Sequence, residues 1–273
     1  MDLAAIAAEA VLRAGAIQKE RYGQKIEIFN KGVLDLVTEV DRACEDAILE
    51  TLRSRTTGHD IVTEETQLER TGARVVWYVD PLDGTTNYAH GYPCFCASVA
   101  AAQDGVVVAG AVYEPLRAEL YTAERGAGSH LNGKRLRVSQ SKELLKSLLI
   151  TGFPYDLRDD IEFRMRLFKR FLAHARAVRR DGAAAVDLCF VAAGRIDAFF
   201  EESLQPWDVL AGSLMVEEAG GRVTRFTDAP IGVRADEVLA SNGLIHEAML
   251  NVLAEDQASR ETLPAGVAKL ADA

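Results

Sequence analysis

This 273-residue chain has no run of about 18 uncharged apolar residues, so no membrane span is expected. It also lacks a basic cluster of the kind that tracks a phosphate backbone. Its 31 Lys and Arg are outnumbered by 41 Asp and Glu, for a formal net charge of −10, and direct nucleic-acid binding is a poor fit. Residues 1–22 carry Asp2, Glu9 and Glu20 among their apolar positions, and show neither the basic start nor the cleavage site of a secretory leader. The four cysteines, Cys44, Cys94, Cys96 and Cys189, make no CxxC pair and have no accompanying histidines. That speaks against zinc and for reduced core thiols in a cytoplasmic protein. The five histidines, His59, His90, His130, His174 and His246, are scattered, and no Cys or Ser stands out as a nucleophile.

What is present is enough apolar matter, 48% of residues, for a sizeable core. Leu3, Ile6, Ala10, Ala14 and Ile17 recur at helical spacing. A strand over 25–29 leads to a loop at Asn30-Lys31-Gly32, and Thr38 caps a helix running to about residue 55. An apolar step at Ile61-Val62 precedes a strand over 74–79 that stops at Asp80-Pro81. Strand patterning fills 94–122, with Asp104-Gly105 as a hairpin turn. Beyond it, strands at 147–151, 196–201 and 238–240 alternate with helices at 161–173, 184–193, 208–219 and 244–253. Repeats and long linkers are absent. The expectation is a layered mixed α/β domain over 1–273, in two packed halves (about 1–145 and 146–260), with a frayed tail at 262–273.

The segment Asp80-Pro81-Leu82-Asp83-Gly84-Thr85-Thr86-Asn87 carries the most chemistry. A buried strand delivers Asp80 to its end, Pro81 fixes the turn, and Asp83 follows closely enough for both carboxylates and the Leu82 carbonyl to converge. Hard oxygens of this kind suit Mg²⁺, and the free amides of the short helix opened by Gly84 suit a phosphate. By itself the octamer reads equally well as a turn followed by a capped helix. Glu64-Glu65 at another strand end, Asp208 at a helix start, and Asp41 three residues after Thr38 each have an ordinary structural explanation when taken singly.

Taken in order, Asp35-Leu36-Val37-Thr38 with Asp41, Glu64-Glu65, the octamer and Trp207-Asp208 resemble the inositol monophosphatase family, over about residues 1–255. The resemblance implies an α-β-α-β-α sandwich, shared with fructose-1,6-bisphosphatase, and a homodimer. Glu64, Asp80 and the Leu82 carbonyl would hold one Mg²⁺. Asp80, Asp83 and Asp208 would hold a second, with a weaker third near Glu64. Asp41 and Thr85 would position the attacking water together with Glu64. Gly84 and Thr85 amides would hold phosphate, and Gly182, Ala183, Ala184, Glu201 and Asp208 would meet the alcohol. Lithium inhibition is implied too.

The expected reaction is two-metal hydrolysis of a small phosphate monoester, with inositol-1-phosphate as the expected substrate. Sister activities on fructose-1,6-bisphosphate, 3′-phosphoadenosine 5′-phosphate or histidinol phosphate are the alternatives, as is a regulatory role with the transcription machinery. Ala183, where relatives often carry Ser or Thr, and Glu202-Ser203, where they carry a Gly-containing turn, depart from the family pattern.

Overall fold

The computed structural model describes residues 2–30, 36–153, 161–234 and 236–261. Lys31, Asp35 and the 262–273 tail lie outside them. The chain begins with α1 (Leu3–Arg21), β1 (Ile28–Asn30), β2 (Leu36–Thr38), α2 (Glu39–Arg55), β3 (Asp60–Thr63), β4 (Val75–Asp83) and α3 (Thr85–Ala89). Five strands follow: β5 (Cys96–Gln103), β6 (Val106–Glu114), β7 (Glu119–Glu124), β8 (Gly128–Leu131) and β9 (Lys134–Arg135). Next come β10 (Leu148–Thr151), α4 (Ile161–His174), β11 (Ala177–Arg179), α5 (Ala184–Ala192) and β12 (Ala198–Glu202). The described chain closes with α6 (Pro206–Glu218), β13 (Arg222–Thr224), β14 (Glu237–Ser241) and α7 (His246–Glu261).

A seven-stranded sheet, ordered β3-β4-β5-β6-β7-β8-β9, and a five-stranded sheet, ordered β11-β10-β12-β14-β13, divide the protein into layers. Period-two alternation sorts their side chains into separate cores. In β4 and β5, Trp77, Val79, Ala97, Val99 and Ala101 pack with α1 and α2. Their neighbours Val76, Tyr78, Cys96, Ala100 and Ala102 pack with α5 and α6 instead. Beyond the second sheet, Leu149, Phe200 and Leu239 meet Leu167 and Phe171 of α4 and Met249 of α7. Sheets covered on both faces explain why β5 is apolar along almost its whole length rather than alternating. The order helix, sheet, helix, sheet, helix is the expected five-layer sandwich.

Some expected boundaries moved, and the last helix runs His246–Glu261 rather than 244–253. The first strand pairs over Ile28–Asn30 rather than 25–29. β4 does not end at Asp80: a bulge between Asp80 and Asp83 lets pairing resume, Asp80 opposite Ser98 and Asp83 opposite Cys96. No described helix is long and apolar enough to cross a membrane.

Candidate active site

The alternation that builds the cores also aims the carboxylates. Asp80 continues the β4 face of Val76 and Tyr78, which looks toward α5 and α6. β3 runs parallel to β4 with Thr63 opposite Val79, so Glu64 and Asp80 are the next pair along. The Glu64 amide extends that pairing by donating to the Val79 carbonyl at 3.3 Å. Asp208 arrives from the middle helical layer, in the first turn of α6 behind Pro206. Its Oδ2 accepts from the Gln205 amide at 2.7 Å. The Ser98 hydroxyl donates to the Trp207 carbonyl at 3.3 Å, tying that helix start to β5.

The bulge sets the direction of the backbone carbonyls. Pro81 O accepts from the buried Gln18 side chain of α1 at 2.8 Å, and the same nitrogen reaches Cys96 O at 3.1 Å. Leu82 O instead lies 3.0 Å from the Thr85 hydroxyl. Gly84 then turns at φ +90°, where a Cβ would stand 2.8 Å from the Cys94 carbonyl. Glycine is therefore required both by the left-handed backbone and by the space.

Behind this turn the Asp41 carboxylate is held from several sides. The Thr38 amide and hydroxyl donate to Oδ2 at 2.8 and 2.5 Å, and the Thr85 hydroxyl donates to Oδ1 at 2.8 Å. Burial raises the Asp41 pKa, opposed by these bonds.

Electrostatically the carboxylates press on one another. Burial pushes Asp80 well above the usual carboxylate range, and Glu64, Asp83, Asp208 and Asp41 push it further. Burial lifts Asp83 to about 7, against a 2.7 Å bond from the Ala185 amide, with Glu64 adding to the rise. Asp208 is likewise lifted to about 7, by burial and by Asp83. Among the described residues no Lys or Arg ion pair reaches Asp80, Asp83 or Asp208. An all-oxygen set of carboxylates that press on one another electrostatically fits a hard divalent cation such as Mg²⁺.

Of the remaining expected residues, Ala183 packs against Gly84 of the octamer, and Gly182 lies against Asn87. Ala183 and Ala184 are buried at the start of α5, behind Gly182 at φ +82°. Asn87 joins the two segments: its Nδ2 lies 2.8 Å from Cys94 O, 2.7 Å from Asp181 O and 3.3 Å from Gly182 O. Glu201, on β12, packs so closely over Gly152 that a Cβ there would collide with its carboxylate. Ser203 adopts φ +62°, a conformation that costs a non-glycine residue roughly 1–2 kcal/mol. A glycine would fit there without strain. Sequence reasoning gave no role to Gln18 or Asn87. Gln18 sits on the buried stripe of α1, where a polar residue was the available signal.

The sequence profile of the inositol monophosphatase family matches residues 2–260. The inositol-1-monophosphatase of Synechocystis sp. is 41% identical over 251 residues, covering 91% of this chain and 88% of that one. The protein of Escherichia coli K12 named Nus factor SuhB is also 41% identical, over 90% of this chain and 93% of its own length. The solved inositol monophosphatase of Anabaena superposes with a TM-score of 0.84 at 39% identity, covering 93% of this chain and 95% of that one. The chain belongs to the inositol monophosphatase family.

Proposed function

We propose that this chain is a Mg²⁺-dependent phosphatase of small phosphate monoesters, with inositol-1-phosphate as its substrate. Family membership supports a phosphatase. The observation that carries the finer reading is the burial of Asp80 beside the like charges of Glu64, Asp83 and Asp208.

Glu64, Asp80, the Leu82 carbonyl, Asp83 and Asp208 would hold two ions, with Asp80 common to both sets and a third, weaker ion near Glu64. Mg²⁺ so bound supplies countercharge for the phosphoryl group and a more acidic water. The rest of the work belongs to side chains and backbone. Thr85 has one hydroxyl proton, and Asp41 takes it at 2.8 Å. The Thr85 oxygen is then free to accept a hydrogen bond from a water and turn that water's lone pair toward phosphorus. Asp41, raised in pKa by burial, can share the proton displaced. Glu64 orients the same water. The Gly84 and Thr85 amides hold the phosphate, and Gly182, Ala183, Ala184, Glu201 and Asp208 meet the alcohol.

Phosphate release measured side by side from inositol-1-phosphate, fructose-1,6-bisphosphate, 3′-phosphoadenosine 5′-phosphate and histidinol phosphate tests the substrate. Inositol-1-phosphate should have the highest kcat/KM, and a clear preference for another ester would replace it. A second reading, action as a Nus factor, is favoured by the names of relatives about 40% identical. Rescue of a deletion strain by a turnover-dead Asp80→Asn chain would support it, and failure to rescue would count against it.

A further inference from the structure

Three metal-ligating side chains meet outside the carboxylate cluster described above. Cys94 precedes β5, Asp181 precedes the left-handed Gly182, and Asp187 lies in the first turn of α5. Their ligand atoms, one sulfur and one carboxylate oxygen from each Asp, all lie within 4.8 Å of one another.

A second observation concerns Asp187 alone. It is only 1% exposed, and its Oδ1 has no hydrogen-bond partner. A buried carboxylate oxygen without a donor costs about 1–3 kcal/mol or more, and its surroundings deepen the deficit. Asp181, Asp83 and Glu201 all oppose its charge, and the relieving group, Arg180, is on the surface. Burial and Asp187 together also hold the Cys94 thiol protonated. A cation would supply the partner that Oδ1 lacks and displace the thiol proton.

We propose that Cys94, Asp181 and Asp187 form a second metal site, for a thiophilic divalent ion of the Zn²⁺ class. A thiolate with two carboxylates suits Zn²⁺ or Co²⁺ and does not suit Mg²⁺, which takes oxygen ligands. Tetrahedral zinc, with bonds of about 2.0–2.3 Å, holds its ligand atoms roughly 3.5 Å apart. The three groups therefore need to close by no more than about 1.3 Å. Asp181 can supply that movement, since it is half-buried in a loop, and its exposed side gives the ion a way in. Three protein ligands leave a fourth position for water. Thiol and carboxyl protons leave to solvent as the ion enters.

The test reads binding rather than turnover, so it stands apart from the choice of phosphate ester. The full chain is stripped with a chelator, supplied with saturating Mg²⁺ to fill the all-oxygen cluster, and titrated with Co²⁺. The expected result is a thiolate-to-cobalt charge-transfer band in the near ultraviolet that saturates at one equivalent. Cys94→Ser should abolish that band and Cys96→Ser should keep it. Asp187→Asn should weaken Co²⁺ binding at least tenfold, because losing even an outer partner of a metal ligand costs about 10–100-fold. No band in the wild-type chain, or a band that survives Cys94→Ser, overturns the proposal. If Cys94→Ser does not fold, unchanged Co²⁺ affinity in Asp187→Asn overturns it equally.

Discussion

The Thr85 hydroxyl donates to Oδ1 of Asp41 at 2.8 Å, across 44 positions of sequence. The other carboxylate oxygen is held by both the amide and the hydroxyl of Thr38, so the capping box of α2 fixes the orientation of Asp41. If the pair serves a water in the transition state, Thr85→Ala should lower kcat by about 10²–10⁴ and change KM little. Thr85→Ser should recover most of the loss. Steady-state kinetics of the two variants distinguish this from a packing role, in which KM would carry the effect.

Asp80→Asn should stay folded and lose turnover. A loss greater than tenfold in kcat, above about 1.4 kcal/mol, is expected for a ligand common to two ions. Because Asp80 is buried among like charges, the neutral amide should also raise the melting temperature of the metal-free chain. Calorimetry in chelator would show this.

Asp83 and Asp208 have folded pKa values of about 7, against 3.8 ordinarily. The native state therefore holds more protons than the unfolded chain across that interval. Metal-free stability should fall as pH rises from about 4 through 7. Mg²⁺ needs the deprotonated carboxylates, so its stabilisation should be larger at pH 8 than at pH 5. Thermal melts with and without Mg²⁺ at the two pH values check the sign.

His246 is buried between the Ser241 hydroxyl at 2.8 Å and the Thr224 hydroxyl at 2.9 Å. Burial, aided by Arg222, lowers its pKa from 6.5 to about 4. Here the unfolded chain takes the proton first. The neutral ring's contribution is complete above pH 6.5 and fades as pH falls toward 4. The difference in denaturant midpoint between the wild-type chain and His246→Gln should therefore shift against the wild type as pH falls from 6.5 toward 4.

Gln18 ties α1 to the bulge through Pro81 O and Cys96 O. Gln18→Leu leaves both carbonyls without that donor and should cost about 1–3 kcal/mol in urea unfolding. It should also lower kcat, since the bulge it braces joins Asp80 to Asp83.

The long strands were legible because helices cover both faces of the sheet. β5 and β6 read as continuous apolar runs, and Asp104-Gly105 marks their hairpin. β8, β9, β11 and β13 were not legible: each is two to four residues long, with polar members such as His130 and Lys134. The carboxylates of the site were visible as motifs at strand and helix ends. What holds them in place was not visible. Ala185 reaches Asp83 from 102 residues away, and Asn87 spans 94 residues to Asp181, so no local pattern signals either bond.

The account's central claim is that four carboxylates distant in sequence share bound divalent cations. Anomalous diffraction from crystals grown with Mn²⁺ in place of Mg²⁺ tests it most directly. Peaks should lie against Asp80, one shared with Glu64 and the Leu82 carbonyl and one with Asp83 and Asp208. Manganese absent from this cluster, or bound there without Asp80, would contradict the account.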